Sequence, residues 1–488
     1  MAAAPDVPLA LGPICIRAAS WVVAFDAATG THAYRRDADV VWDGGRIIHL
    51  GGRWPGTPAR SIDGQGMLVL PGLINIHCHP AQSPLFAGLV EEAGNPRLFQ
   101  SGRHRFRQAF LPDAEAQHAS ATLGLAELLE SGATTAVDLS HAYPGWLELL
   151  AQSGIRAVVA PMFRSAEWFT DTGQETQYRW HADGGRAAFA EACAVMDAAE
   201  AHPSGLMSAL VSPAQVDTCT PELLQDSAAL AARTGRKLHV HAAQSYAEFN
   251  GMTRRHGVTP IAYLDRLGFL GQNTILGHAV FTDAHPWTLW PERTDLATLA
   301  ARGVTVAHCP TVFWRDGTLL HDIGAYLAAG IRMAIGTDTH PQNLLEEMRT
   351  AELLGRAAAG PRHACDTARV FHAATIAAAD FLGRTDLGRL VEGAAADLVL
   401  CDLNAPGLRG THDPLRGLVH AAGQAAVRDV FVAGRQVVSG GQALTIDTEA
   451  AARALSATRE RLAAAVPRHD PEGASLDTLA PLMLKLLD

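Results

Sequence analysis

The chain has 488 residues, 48% of them hydrophobic and 18% charged, with 50 acidic side chains against 39 basic ones and a formal net charge of −11. This length supports a large core and more than one structural unit, and this composition excludes a disordered chain. The acidic balance disfavours nucleic acid as the main ligand, because binding phosphates calls for a basic surface.

The N-terminal MAAAPDVPLALGP contains Asp6 and several prolines and lacks a basic n-region, and no apolar run approaches the ~20 residues that span a bilayer. The expectation is a cytoplasmic protein with no leader and no membrane partner. Residues 14–70 read as short strands, with ICIRAASWVVAF, ADVVWDGGRIIHLGG and SIDGQGMLVLPG alternating apolar and polar residues around Gly and Asp turns. Residues 395–445 have the same character in AADLVLCDL and VRDVFVAGRQVVSGGQAL. Either segment alone is too small for a robust core, so the economical reading pairs them in one β-sandwich.

The centre alternates strand and helix signals. The predicted strands are residues 72–77, 134–139, 155–161, 206–213, 237–241, 274–278, 304–310 and 331–338. Ala- and Leu-rich stretches such as ASATLGLAELLESG and PELLQDSAALAARTG lie between them, many closed by Gly. Eight strands alternating with helices predict an α/β fold, a closed parallel (β/α)8 TIM barrel. The loop after the first strand, residues 80–115, is long and carries Arg103, His104, Arg105 and Arg107. Such a loop borders a substrate pocket or a subunit contact, although the basic cluster reads more simply as a solvated face. Residues 449–465 form an Ala/Arg/Glu helix. The expected division is 1–70 and 395–448 for the sandwich, 71–394 for the barrel and 449–488 for a helical tail.

Chemistry-bearing residues close several of these strands. PGLINIHCHP carries His77 and His79, two apart and therefore on one face of a strand, with Cys78 turned away into packing. HVH carries His239 and His241, TILGH ends on His278, AHCP holds His308, and IRMAIGTD ends on Asp338. Polar residues at the C-terminal ends of barrel strands are where such barrels keep their active sites. The seven cysteines (Cys15, Cys78, Cys193, Cys219, Cys309, Cys365 and Cys401) form no CxxC pair, so neither a zinc knuckle nor a disulfide framework is predicted.

In these motifs the chain resembles the amidohydrolase superfamily, in the branch that holds cytosine, guanine and S-adenosylhomocysteine deaminases and triazine hydrolases. PGLINIHCHP is similar to the metal motif of the first strand, HVHAAQ to that of the fifth, TILGH to the strand-six His and IGTD to the strand-eight Asp. LGRLVEGAAADLVLCDL and VRDVFVAGRQVV are similar to the return into the sandwich. The family pattern selects His241 over His239. The resemblance implies one metal per chain held by His77, His79, His241 and Asp338.

Three neutral imidazoles and a carboxylate suit Zn²⁺, with Fe²⁺ as the second choice. A catalytic metal lowers the pKa of a water to about 7, which supplies the nucleophile. Asp338 can take up the proton and pass it to the leaving group, and His278 can stabilise the developing charge. Expected substrate contacts are Gln244, His308 and Phe313, with Trp314 beside Phe313 as an aromatic wall. The aromatic deaminases of this branch usually carry Glu where this chain has Gln244, and often Asn where it has Phe313. A carboxamide cannot give and recover a proton near neutral pH. The expected function is hydrolysis of a C–N bond in a small nitrogenous heterocycle, in a homo-oligomer, a dimer. The alternatives are hydrolytic dehalogenation, ring opening of a cyclic amide, and a non-catalytic binding protein on a decayed barrel.

Overall fold

A computed structural model of the protein describes residues 12–89, 101–171, 175–359 and 365–487. All eight expected barrel strands form, as Leu73–Cys78, Ala133–Ser140, Arg156–Phe163, Met207–Pro213, Lys237–Ala242, Thr274–His278, Thr305–His308 and Arg332–Ile335. Each pairs in parallel with the next. Seven of them are buried almost throughout, as expected where helices cover the outside and side chains fill the inside. The helices follow local sequence chemistry. Pro221–Thr234, for example, starts with Thr220 accepting from the Leu223 N–H and Pro221 in the first turn. Its buried face is Leu223, Leu224, Ser227, Leu230 and Ala231, a helical period laid against the strands.

The ring closes between the eighth and first strands. The Asp338 N–H donates to the His77 carbonyl at 2.9 Å and the His79 N–H donates to the Asp338 carbonyl at 2.9 Å. The closing seam therefore runs through three of the expected site residues.

Both chain ends contribute to a single nine-stranded sheet. Ile14–Asp26, Thr31–Asp43, Arg46–Gly51, Arg60–Asp63 and Met67–Pro71 come from the front, and Leu398–Asp402, Val427–Val432, Arg435–Ser439 and Gln442–Ala443 from the back. The halves join where Met67–Pro71 pairs antiparallel with Leu398–Asp402. The sheet curls about one core that includes Ile16, Val40, Trp42, Val69, Leu398 and Phe431. A buried bidentate pair fastens this sheet to the barrel: Arg156 Nε and Nη2 each reach Asp397 at 3.0 Å, and Asp397 also accepts from the Ala433 N–H at 2.7 Å. Removing one member of such a pair strands a buried charge and costs about 3–5 kcal/mol.

The C-terminal helix is longer than expected, Thr448–His469. It sets Leu455, Leu462 and Val466 against Leu85, Phe106 and Phe110 beside the barrel. Part of the long first loop, residues 90–100, and the side chains of Arg103 and His104 lie outside the described residues. Arg105 is bound to Asp470 and Glu472, so it is a strut to the C-terminal segment. All seven cysteines are free thiols. No helix among the described residues is long and apolar enough to cross a membrane.

Candidate metal centre

Five of the expected residues meet at the C-terminal end of the barrel. Donor atoms of His77, His241, His278 and Asp338 all lie within 4.8 Å of one another. His79 joins them, with Nε2 at 3.1 Å from Asp338 Oδ1 and 3.3 Å from His241 Nε2. His77 Nε2 is 3.6 Å from Asp338 Oδ1, and His278 Nε2 is 3.8 Å from Asp338 Oδ2. All five are buried.

The second nitrogens of the imidazoles fix the tautomers. His79 Nδ1 faces the Leu139 carbonyl at 2.5 Å and His241 Nδ1 faces the Ala214 carbonyl at 2.6 Å. A carbonyl only accepts, so both Nδ1 atoms carry the hydrogen, and in the neutral rings both Nε2 atoms present lone pairs. Those lone pairs face each other across 3.3 Å beside a carboxylate, in a buried space. Converging lone pairs and negative charge are a cation's donor set. His77 Nε2, buried and without a hydrogen-bond partner among the described residues, completes it. The residues present therefore fit a divalent metal.

The electrostatics agree. Burial, and next the other histidines, push His241 well below the ordinary imidazole range, and burial pushes His278 down to about 3. Burial also opposes the charge on Asp338, but the surrounding imidazoles, His278 first, outweigh it and hold the carboxyl well below its usual range. Neutral imidazoles around an ionised carboxylate are the states that bind metal.

Backbone geometry at the strand ends is unusual. Ala243, His278, Ala279 and Asp338 have φ of 52°, 105°, 48° and 57°. Non-glycine residues in this region carry strain of order 1–3 kcal/mol each and cluster at functional sites. Two glycines make room. A Cβ on Gly336 would lie 2.7 Å from the His77 carbonyl oxygen, so the closing seam requires glycine there. A Cβ on Gly277 would lie 2.7 Å from His77 Cε1.

The expected substrate contacts are placed unevenly. Phe313 is buried, with its ring 4.8 Å from that of His278 and nearly edge-on. Trp314, expected beside it as a wall, is 54% exposed because it falls on the outer face of the short helix Pro310–Arg315. His308 is buried with Nδ1 unpaired among the described residues, and burial pushes it down to about 4. Gln244 is half-buried just beyond the turn at Ala243, and its carboxamide makes no hydrogen bond among the described residues.

Sequence reasoning missed the supports. Glu248 accepts from the N–H groups of Ala243 and Gln244 and so braces the exit of the fifth strand. Its signal was legible as Ser245-x-x-Glu248, a capping-box spacing. Asn75 donates to Thr337 Oγ1 at 2.8 Å and accepts from the Thr337 N–H, and Thr337 Oγ1 donates to Gln342 at 2.6 Å, holding the turn that carries Asp338. His239, the rival ligand by sequence, stands behind His77 instead.

The chain belongs to the Amidohydrolase family, whose profile matches residues 68–437. It is thus a metal-dependent hydrolase acting on C–N bonds other than peptide bonds. It is 31% identical to a 5-methylthioadenosine/S-adenosylhomocysteine deaminase of Natronomonas pharaonis, over 86% of this chain and 92% of that one. It is 29% identical to a 5'-deoxyadenosine deaminase of Methanopyrus kandleri, over 79% and 84%. Among solved structures, a zinc-bound adenosine deaminase from Xanthomonas campestris superposes with a TM-score of 0.77 at 25% identity, covering 92% of this chain and 98% of that one. An atrazine chlorohydrolase from Arthrobacter aurescens, complexed with zinc, gives 0.76 at 26% identity, covering 91% and 100%.

Proposed function

We propose that the protein is a deaminase of a small heterocyclic amine, with one Zn²⁺ per chain held by His77, His79, His241 and Asp338. The carrying observation is the convergence of lone pairs and a carboxylate at the barrel's closing seam. Mutual distance alone leaves His79 and His278 as rivals for the fourth ligand. The partner of the other ring nitrogen favours His79, because metal-binding imidazoles anchor that nitrogen on an acceptor. His79 Nδ1 has the Leu139 carbonyl, whereas His278 Nδ1 has no partner among the described residues. Zinc in two structural neighbours and the three imidazoles favour Zn²⁺ over Fe²⁺.

When bound, the metal supplies the acidity that makes water a nucleophile near neutral pH. Asp338 takes the proton released and delivers it to the departing nitrogen. His278, neutral and beside Asp338, donates a hydrogen bond to the attacked centre as charge develops there. Phe313 packs nearly edge-on against that imidazole. The curated relatives act on adenine nucleosides by name, which makes an exocyclic amine on a purine the first substrate class to test. Gln244 supports a second reading, displacement of halide or opening of a cyclic amide, since neither needs a ring nitrogen protonated by that side chain. The substrate is a small molecule with no role for nucleic acid, consistent with a net charge of −11. We take residues 71–394 as the catalytic unit, the segments 1–70 and 395–448 as one supporting unit and 449–488 as a tail, assembling as a homodimer in the cytoplasm.

The test is release of ammonia, halide or ring-opened acid by the zinc-loaded enzyme across adenine nucleosides, chlorotriazines and cyclic amides. Ammonia from the amines supports deamination. Turnover of chlorotriazines or cyclic amides alone overturns it in favour of the second reading.

A further inference from the structure

Of the three imidazoles proposed as ligands, two anchor Nδ1 on a backbone carbonyl, and His77 is the exception. Its Nδ1 lies 3.1 Å from His239 Nε2, and His239 Nδ1 lies 3.3 Å from Ser212 Oγ. The three side chains form a buried line from the first barrel strand, through His239 on the fifth, to Ser212 on the fourth. His239 and Ser212 are 0% exposed, and the His77 and His239 rings are 5.0 Å apart. His239 shares a strand and a face with His241, yet it stands outside the cluster of donor atoms.

We infer that His239 is the positioning residue that sets the tautomer of His77, with Ser212 holding His239 in turn; this rests on the metal site proposed above. One proton occupies the contact between His77 Nδ1 and His239 Nε2. If it sits on His77, that ring's Nε2 is a lone pair aimed at the cluster. His239 then carries its hydrogen on Nδ1 and donates it to Ser212 Oγ. If it sits on His239, His77 carries its hydrogen on Nε2, the ring points an N–H at the cluster, and the ligand is lost. Both arrangements satisfy the two contacts of the line, because a serine hydroxyl accepts or donates. Carbonyl-anchored His79 and His241 have no such alternative. His77 is thus the one ligand whose readiness is set by another side chain. Gly277 makes room for both rings side by side: a Cβ there would be 2.7 Å from His77 Cε1 and 3.0 Å from His239 Nε2.

The tests are the tautomer itself and Zn²⁺ affinity. In Zn²⁺-loaded wild-type protein labelled with ¹⁵N-histidine, NMR should find His239 protonated at Nδ1 with Nε2 as the acceptor. His239→Leu, which removes the acceptor and keeps an apolar body, should weaken Zn²⁺ binding about 10–100-fold in competition with a chromophoric chelator. Ser212→Ala should weaken it by less. An Nε2-protonated His239 in the loaded protein overturns the inference without needing a variant. So does a folded His239→Leu with wild-type affinity. If wild-type protein binds no Zn²⁺ at all, the metal site falls together with this inference. If it binds tightly and only the His239 results fail, the metal site stands.

Discussion

Gly277→Ala adds one methyl group and removes no polar atom, which makes it a clean probe of the cluster. Gly277 lies in the sixth strand one residue before its end at His278, with no left-handed φ, so alanine meets no backbone strain there. The new Cβ would lie 2.7 Å from His77 Cε1 and 3.2 Å from His77 Nδ1, against an ordinary contact of 3.4 Å or more. The imidazole must withdraw by about 0.7 Å, the difference between 3.4 and 2.7. Metal–ligand distances tolerate about 0.2 Å, and functional side chains about 0.5 Å. A withdrawal of that size takes His77 out of ligation or drags the strand with it. Zn²⁺ affinity should fall about 10–100-fold, or about 1.4–2.7 kcal/mol, with a further loss of about 1–3 kcal/mol of stability from overpacking. The assay is chelator competition for Zn²⁺, alongside urea unfolding of the metal-free protein. Gly271→Ala is the control, because nothing lies within 4 Å of its added carbon. Wild-type affinity in Gly277→Ala would refute the reasoning, since His77 would then be either free to move or no ligand.

His278→Ala should keep its metal and lose roughly 10²-fold or more in kcat, read by elemental analysis and steady-state kinetics; an unchanged kcat removes it from the catalytic set. Gln244→Glu should shift substrate preference towards ring-nitrogen deamination and add an ionisation to the pH–rate profile, and superimposable profiles would show that this position never meets the reaction. Asp295 supplies a pH-dependent stability term. Burial first, and then the neighbouring Asp283 charge, push its carboxyl from 3.8 up to about 7. Between those values the folded state holds a proton that the unfolded chain has lost, so the contribution is full below about pH 4 and lost as pH rises through about 7. Asp295→Asn should flatten that decline in urea midpoints taken from pH 4 to 8, and an unaltered decline would count against it.

The barrel was legible because its strands are short apolar runs with Gly or Pro at the boundaries. The expected run IRMAIGTD ends as a strand at Ile335, and the backbone turns left-handed at Asp338, with φ 57°. VTVAHCP ends at His308 because Pro310 opens a helix. The cluster was legible because each member closes such a run. Its supports were not, because they join residues far apart in sequence. Asn75 meets Thr337, and His77 meets His239, only once the ring of strands has closed. Exposure was illegible for the same reason: Phe313 and Trp314 are adjacent, and the direction of one short helix turns one inward and the other out. The two ends of the chain each read as strands, but only the pairing of Met67–Pro71 with Leu398–Asp402 makes them one sheet.

The central claim is a single metal held at the barrel's closing seam, and the most direct measurement is metal per chain in wild-type and His241→Ala protein after dialysis against excess Zn²⁺. His241 Nε2 lies 3.3 Å from His79 Nε2, with its ring fixed on the Ala214 carbonyl, so its loss removes one of the four proposed donors. The account predicts about one equivalent of zinc in the wild type and loss of most of it in His241→Ala, together with the hydrolytic activity. Full zinc occupancy in a folded His241→Ala protein would contradict it.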